Sequence, residues 1–274
     1  MHPDENTMDQ FEEIIQPDDA QPHAKGETRN AEQSPSGSVV RLQKTVVFSD
    51  HIGKRIDSSV VNHQFYDHFK YSLLPKEYSQ GKLTLGITSP NPGEGKTLVA
   101  ANLAASLAMA NQRETLLIDL SVSRPRLHEI FGVPLAPGIL EGLQQPTVTV
   151  SKTKVKHLSV LTVGSSVANP IESMRFGGSK NGTAMKATVG LEQLTEFRNL
   201  LYSLEEKFEL IIVDLPSIHE SAIPTLFTTQ LGGVIVVVNA GKTKQHDIDR
   251  LLVTLNESQV LGFVFNRVDK KSLT

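Results

Sequence analysis

The sequence predicts an α/β protein with a doubly wound, mostly parallel sheet. Two observations predict it: six short, unbroken apolar runs recur from residue 83 onward, and helix-period segments separate them. An unbroken run, as opposed to an alternating one, marks a strand buried on both faces. Strand followed by helix, repeated, sets helices on both faces of a parallel sheet, whose ligands bind beyond the carboxyl ends of the strands. The residues directly after each run are therefore where chemistry is to be sought.

The 274 residues are 39% apolar and 21% charged with a formal net charge of −3, the balance of a globular protein with one ordinary core. There is no Cys, which excludes disulfide frameworks, thiolate metal sites and cysteine nucleophiles together. No run approaches the ~18–20 apolar residues of a membrane-spanning helix, and the start of the chain lacks the basic and apolar stretches of a signal peptide. A cytoplasmic protein without direct membrane insertion is expected, and the mildly acidic balance speaks against a nucleic-acid partner.

Residues 1–38 hold nine acidic side chains against Lys25 and Arg29, with Pro3, Pro17, Pro22 and Pro35 among them. Such a segment has too little apolar surface to offset its ordering entropy. An acidic disordered segment is expected over 1–40 and a single domain over 41–274. Within that domain, 58–74 carries Val61, Phe65, Phe69 and Leu73 as a helical stripe, suited to core packing or to a subunit contact. The strand runs are 83–88, 115–119, 158–163, 210–214, 234–239 and 261–265, with helices over 96–111, 191–206 and 243–257. Residues 164–190 form a Gly/Ser/Asn-rich connection, long enough to be expected as a mobile surface loop.

The first of these runs leads into Ser89-Pro90-Asn91-Pro92-Gly93-Glu94-Gly95-Lys96-Thr97 and then an Ala-rich helix. This is a Walker A phosphate loop in its required context, with Pro90 where the strict pattern has Gly. Successive N–H groups around Gly93, Gly95 and Lys96 would nest a β-phosphate at a helix N-terminus, so Pro92, Gly93, Glu94, Gly95, Lys96, Thr97 and Leu98 are the expected nucleotide contacts. Lys96 would reach the β/γ oxygens and the Thr97 hydroxyl would ligate Mg²⁺. Asp119 and Asp214, each the last residue of an apolar run, are the expected carboxylates beside it, for metal and for catalysis. The fold is then that of a P-loop nucleotide-binding domain.

The order SPNPGEGKT, LLIDLSVSRPRLHEIFG, LSVLTVGSSVANPIESM, FELIIVDLPS, VIVVVNAGKT and LGFVFNRV resembles the cytoplasmic domain of bacterial tyrosine kinases, over about residues 58–268. That family is related to the MinD/ParA ATPases and acts with a membrane-embedded polysaccharide co-polymerase in capsule and exopolysaccharide synthesis. The resemblance implies ATP and Mg²⁺ as ligands, a place peripheral to the inner membrane through that partner, and self-association as a homo-oligomer. It also implies that Asn266, at the last strand end, contacts adenine.

Departures from the family pattern shape the functional expectation. The second Walker motif of these kinases reads Asp-x-Asp-x-Arg, and here it is Asp119-Leu120-Ser121-Val122-Ser123. Serine cannot supply the charge that holds Mg²⁺ or takes a proton from a tyrosine hydroxyl, so phosphoryl transfer is expected to be weak or absent. No Tyr follows Tyr202, so self-phosphorylation on a C-terminal tyrosine cluster is not expected. The oligomerising Glu-x-x-Arg-x-x-Arg pattern falls on Gln64, Asp67 and Lys70, and the signature lysine of the MinD/ParA branch falls on Asn91. The expectation is an ATP-binding, kinase-like partner of a polysaccharide machine. Two alternatives stand beside it: an active tyrosine kinase or ATPase in which Glu129 or Glu220 replaces position 121, and a MinD/ParA-like positioning ATPase.

Overall fold

The structure, a computed structural model, describes residues 43–53, 82–165, 191–220 and 223–268. The acidic segment, the helical stripe over 58–74 and nearly all of the 164–190 connection lie outside the described residues.

Among the described residues, eight strands form one sheet: β1 (Thr45–Ile52), β2 (Leu83–Thr88), β3 (Thr115–Asp119), β4 (Thr147–Lys152), β5 (Leu158–Leu161), β6 (Leu210–Asp214), β7 (Gly233–Asn239) and β8 (Val260–Asn266). Their spatial order is β1-β4-β5-β3-β6-β2-β7-β8. Every pairing is parallel except β4 with β5. The sequence predicts six of these strands. The other two, β1 and β4, lack the unbroken apolar signal for a physical reason. In β4 only Val148 and Val150 of the alternating TVTV are buried, and β1 is an edge strand paired with β4 alone.

Among the described residues, six α-helices accompany the strands: α1 (Lys96–Asn111), α2 (Leu127–Phe131), α3 (Ile139–Gln144), α4 (Leu191–Glu205), α5 (Ile223–Phe227) and α6 (Gln245–Thr254). β5 stops two residues short of its predicted end because the carbonyls of Thr162 and Val163 accept from Ile139 and Leu140, at the start of α3. α6 is shorter than the predicted 243–257 because Asn256 sits at φ 46, a left-handed conformation that a helix does not continue through.

Alternate residues of the strands face opposite layers. Leu85, Ile87, Leu117, Ile212 and Ile235 pack against the alanines of α1. Leu116, Ile118, Ile211 and Val213 pack against Phe197, Leu200, Leu201 and Leu204 of α4. Val234, Val236 and Val238 pack against Leu251 and Leu255 of α6. With helices on both faces, the sheet leaves its chemistry to the strand ends, where Ile87 pairs with Asp214 and Asp214 with Asp119 in ladder register.

Candidate nucleotide-binding site

The loop between β2 and α1 is fixed at its entrance by the strand beside it. The Thr88 hydroxyl donates to Pro216 O at 2.8 Å, and Leu215 and Ile218 donate their N–H groups to Ile87 O and Ser89 O. The turn itself needs Gly93 at φ 80 and Gly95 at φ 96, both in the left-handed region. At Gly95 a Cβ would also clash with Asn266 Nδ2. No side chain caps α1, so the orphan N–H groups of its first turn are available to an anion. An open cavity of about 450 Å³ lies against this turn, lined on that side by Pro92, Gly93, Gly95, Lys96, Thr97 and Leu98.

Asp119 and Asp214 lie side by side beneath the loop, both fully buried. Burial pushes Asp214 up to about 8, and the neighbouring Asp119 adds to the shift, while the charge of Lys96 and the nearby Thr97 and Ser121 hydroxyls oppose it. Burial raises Asp119 to about 6 against hydrogen bonds from the N–H groups of Ser121, Leu127 and Arg126 and the charge of Lys96. The two carboxylates differ in use. Asp119 accepts from Ser121 N–H at 2.9 Å and Leu127 N–H at 3.3 Å, which closes the 120–127 loop. Asp214 Oδ2 accepts from the Ser121 hydroxyl at 3.4 Å, and its Oδ1 has no hydrogen-bond partner.

Beyond the loop, the cavity is also lined by Ser121, Ser123, Arg124, Arg126, Glu220 and Arg267. Of the two carboxylates considered as replacements for position 121, Glu220 lines the cavity and accepts from the Ser217 hydroxyl at 3.2 Å. Glu129 does not line it and pairs with Arg126 at 2.8 Å, half-exposed. Among the described residues no cluster of His, Asp and Glu forms a separate metal site.

Two of the expected nucleotide contacts, Glu94 and Asn266, are not among the residues that line the cavity. Glu94 is only 4% exposed. Its Oε1 accepts from the Thr243 hydroxyl at 2.6 Å and its Oε2 from Asn91 N–H at 3.1 Å, while its carbonyl accepts from Asn266 Nδ2 at 2.8 Å. Asn91 in turn donates to Asp247 Oδ2 at 3.1 Å and meets His219 Nδ1 at 2.9 Å. The Asn91 amide holds the Asp247 carboxyl below the usual carboxylate range. Sequence reasoning did not single out Thr243, Asp247 or His219, and only their positions shortly after apolar runs point to them.

A strand end, a glycine turn, an uncapped helix start with Lys96, and a buried Asp one strand over define a P-loop nucleotide-binding protein. The donor set fits a nucleotide with Mg²⁺: open N–H groups and a cation for phosphate, the Thr97 hydroxyl and the partnerless Asp214 Oδ1 for the metal side. The chain belongs to the CobQ/CobB/MinD/ParA nucleotide-binding domain family, whose model matches residues 85–274.

Its curated relatives include bacterial tyrosine-protein kinases. Tyrosine-protein kinase ptk of Acinetobacter johnsonii is 29% identical over 191 residues, 68% of this chain and 24% of the relative. Tyrosine-protein kinase CpsD of Streptococcus pneumoniae serotype 4 is 29% identical over 195 residues, 68% of this chain and 76% of the relative. The succinoglycan biosynthesis transport protein ExoP of Rhizobium meliloti is 27% identical over 191 residues, 69% of this chain and 23% of the relative. The chain thus spans about a quarter of the length of ptk and ExoP. Among solved structures, the VpsO kinase domain matches with a TM-score of 0.61 at 24% identity, covering 76% of this chain and 94% of that one. Cobyrinic acid a,c-diamide synthase of Mycobacterium smegmatis, solved with ADP and magnesium, matches with a TM-score of 0.55 at 20% identity, covering 69% and 76%. At these identities the structures establish a shared fold.

Proposed function

We propose that this chain binds ATP with Mg²⁺ as a kinase-like partner of a membrane-embedded polysaccharide co-polymerase, in capsule or exopolysaccharide synthesis or export, with weak or no phosphoryl transfer. The observation that carries the reading is that the Gly93–Thr97 turn lines one cavity together with Ser121 and Ser123. When bound, Mg–ATP supplies an electrophilic γ-phosphoryl group with its charge partly neutralised. The chain's own part is positional: Gly93, Gly95 and Lys96 would hold the phosphates, Thr97 and Asp214 would serve the metal side, and Asn266, one residue before the cavity-lining Arg267, is the residue proposed for the base. Neither serine can take a proton from an attacking hydroxyl at neutral pH, so binding outlasts transfer. The names of the kinase relatives support the kinase-like part of the reading, and that of ExoP, a succinoglycan biosynthesis transport protein, supports the pathway; a place on the cytoplasmic side of the inner membrane, held there by the co-polymerase, belongs to the same proposal.

The test is binding of a fluorescent ATP analogue with Mg²⁺ to wild type and Lys96→Ala, followed by phosphate release on the same samples. Micromolar binding lost in the variant, with release at the blank rate, is the expected result. Absence of binding in wild type overturns the reading. A second reading, an active ATPase or tyrosine kinase, is favoured by one observation, that Glu220 lines the cavity. It requires release that depends on Lys96 and disappears in Glu220→Gln.

A further inference from the structure

The phosphate loop has a mechanical difficulty that its own sequence does not solve. Glu94 sits between Gly93 and Gly95, both in the left-handed region, and glycine is the residue whose backbone is most free to leave any one conformation. A nest of N–H groups is useful only if their directions are set before the phosphate arrives. Something outside the turn has to hold it.

The holding contacts run to the far side of the loop, away from the cavity. Glu94 is turned inward, with its carbonyl gripped by Asn266 and its carboxylate by Thr243. Thr243 is well built for this. Its hydroxyl donates to Glu94 Oε1 at 2.6 Å and accepts from Asn239 N–H at 2.9 Å, and its own N–H returns to Asn239 O at 3.0 Å. One hydroxyl therefore ties the middle of the loop to the end of β7, across 149 residues of sequence. Asn91 completes the frame by bonding Glu94 Oε2 through its N–H and Asp247 through its amide. Thr243 is not among the residues that line the cavity, so it acts on a ligand only through Glu94.

We infer that Thr243 is a positioning residue for the phosphate loop, fixing the direction of the Gly93–Lys96 N–H groups through its hydrogen bond to the Glu94 carboxylate. The inference rests on the nucleotide-binding reading above and adds to it a determinant outside the pocket. Valine in place of Thr243 keeps the shape and removes the hydroxyl, leaving a buried carboxylate short of a donor and Asn239 N–H without its acceptor. Serine keeps both bonds.

The experiment compares wild type, Thr243→Val and Thr243→Ser as full-length chains, with a fluorescent ATP analogue plus Mg²⁺ and, separately, inorganic pyrophosphate as probes. Binding, the thermal midpoint without ligand, and the amide resonances of Gly93, Gly95 and Lys96 are read for each. Thr243→Val is expected to weaken both probes about tenfold, with displaced resonances for those three amides in the free protein. Thr243→Ser is expected to restore affinity and resonances together. A purely structural role would lower the midpoint without moving those amides in the folded fraction. Thr243→Ala carries the same comparison if Thr243→Val does not fold. Wild-type affinity in the valine or alanine variant, or a serine variant as weak as valine, overturns the inference and leaves the nucleotide site standing. Failure of wild type itself to bind either probe overturns both.

Discussion

Two carboxylates share the ladder position under the phosphate loop, and their electrostatics are unequal. Asp119 has backbone donors on both oxygens, whereas Asp214 has one weak hydroxyl donor on Oδ2 and an unpartnered Oδ1. An acid whose folded pKa is raised binds more protons in the folded than in the unfolded state between the two values. With ordinary values near 3.8 and folded values of about 6 and about 8, the pair lowers stability progressively as pH rises from about 4 to about 8. The nucleotide-free protein is therefore expected to lose stability steadily across that window, followed as a falling urea midpoint from pH 5 to 8.5. Asp214→Asn should flatten most of the slope and raise the midpoint at pH 8; an unchanged slope would assign the pH dependence to other groups. Both aspartates are legible in the sequence, since each closes an apolar run. The inward turn of Glu94 is not, because Gly-Glu-Gly looks like solvent-exposed loop and its partners at 243 and 266 are remote in sequence.

At the scale of elements, α1 is a deeply buried helix and also bears the site at its start. Ala100, Ala101, Ala104, Ala105 and Ala108 are fully buried against the sheet, and small side chains let the helix axis approach it closely. Ala104→Leu is expected to cost roughly 1–3 kcal/mol by overpacking, seen as a lower denaturant midpoint with an unchanged slope. Its start is governed by different physics. Gly95→Ala would place a Cβ at a positive φ and against Asn266 Nδ2, so it is expected to reduce nucleotide affinity by about a hundredfold, with a loss of stability of about 1–3 kcal/mol. Retention of affinity within threefold would show that the turn relaxes without consequence. The limits of α1 are those its sequence predicts, because a glycine turn precedes it and Gln112 in the left-handed region ends it. β1 and β4 escaped the apolar-run criterion because they lie at the margin of the sheet, where one face is only half covered.

For the whole domain, strand order converts local motifs into one site. β6 lies between β3 and β2 in the sheet although residues 89–209 separate it in sequence from β2, and β7 and β8 follow on the other side of β2. The phosphate loop, the carboxylates, Thr243 and Asn266 thus come from the ends of five strands, and none is productive unless the central sheet is intact. Ligand bound there should stabilise those strands as one cooperative unit. With Mg–ATP at a hundredfold above its dissociation constant, linkage gives about 2.7 kcal/mol, or a rise in the thermal midpoint of roughly 5–10 °C for a domain of this size. A single transition is expected to move by that amount in wild type and not at all in Lys96→Ala. An equal rise in Lys96→Ala would place the stabilising ligand elsewhere on the molecule. A split into two transitions would mean that β7 and β8, which carry Thr243 and Asn266, melt apart from the strands that carry Lys96 and Asp214, and the loop would then lose its anchors before it loses its fold.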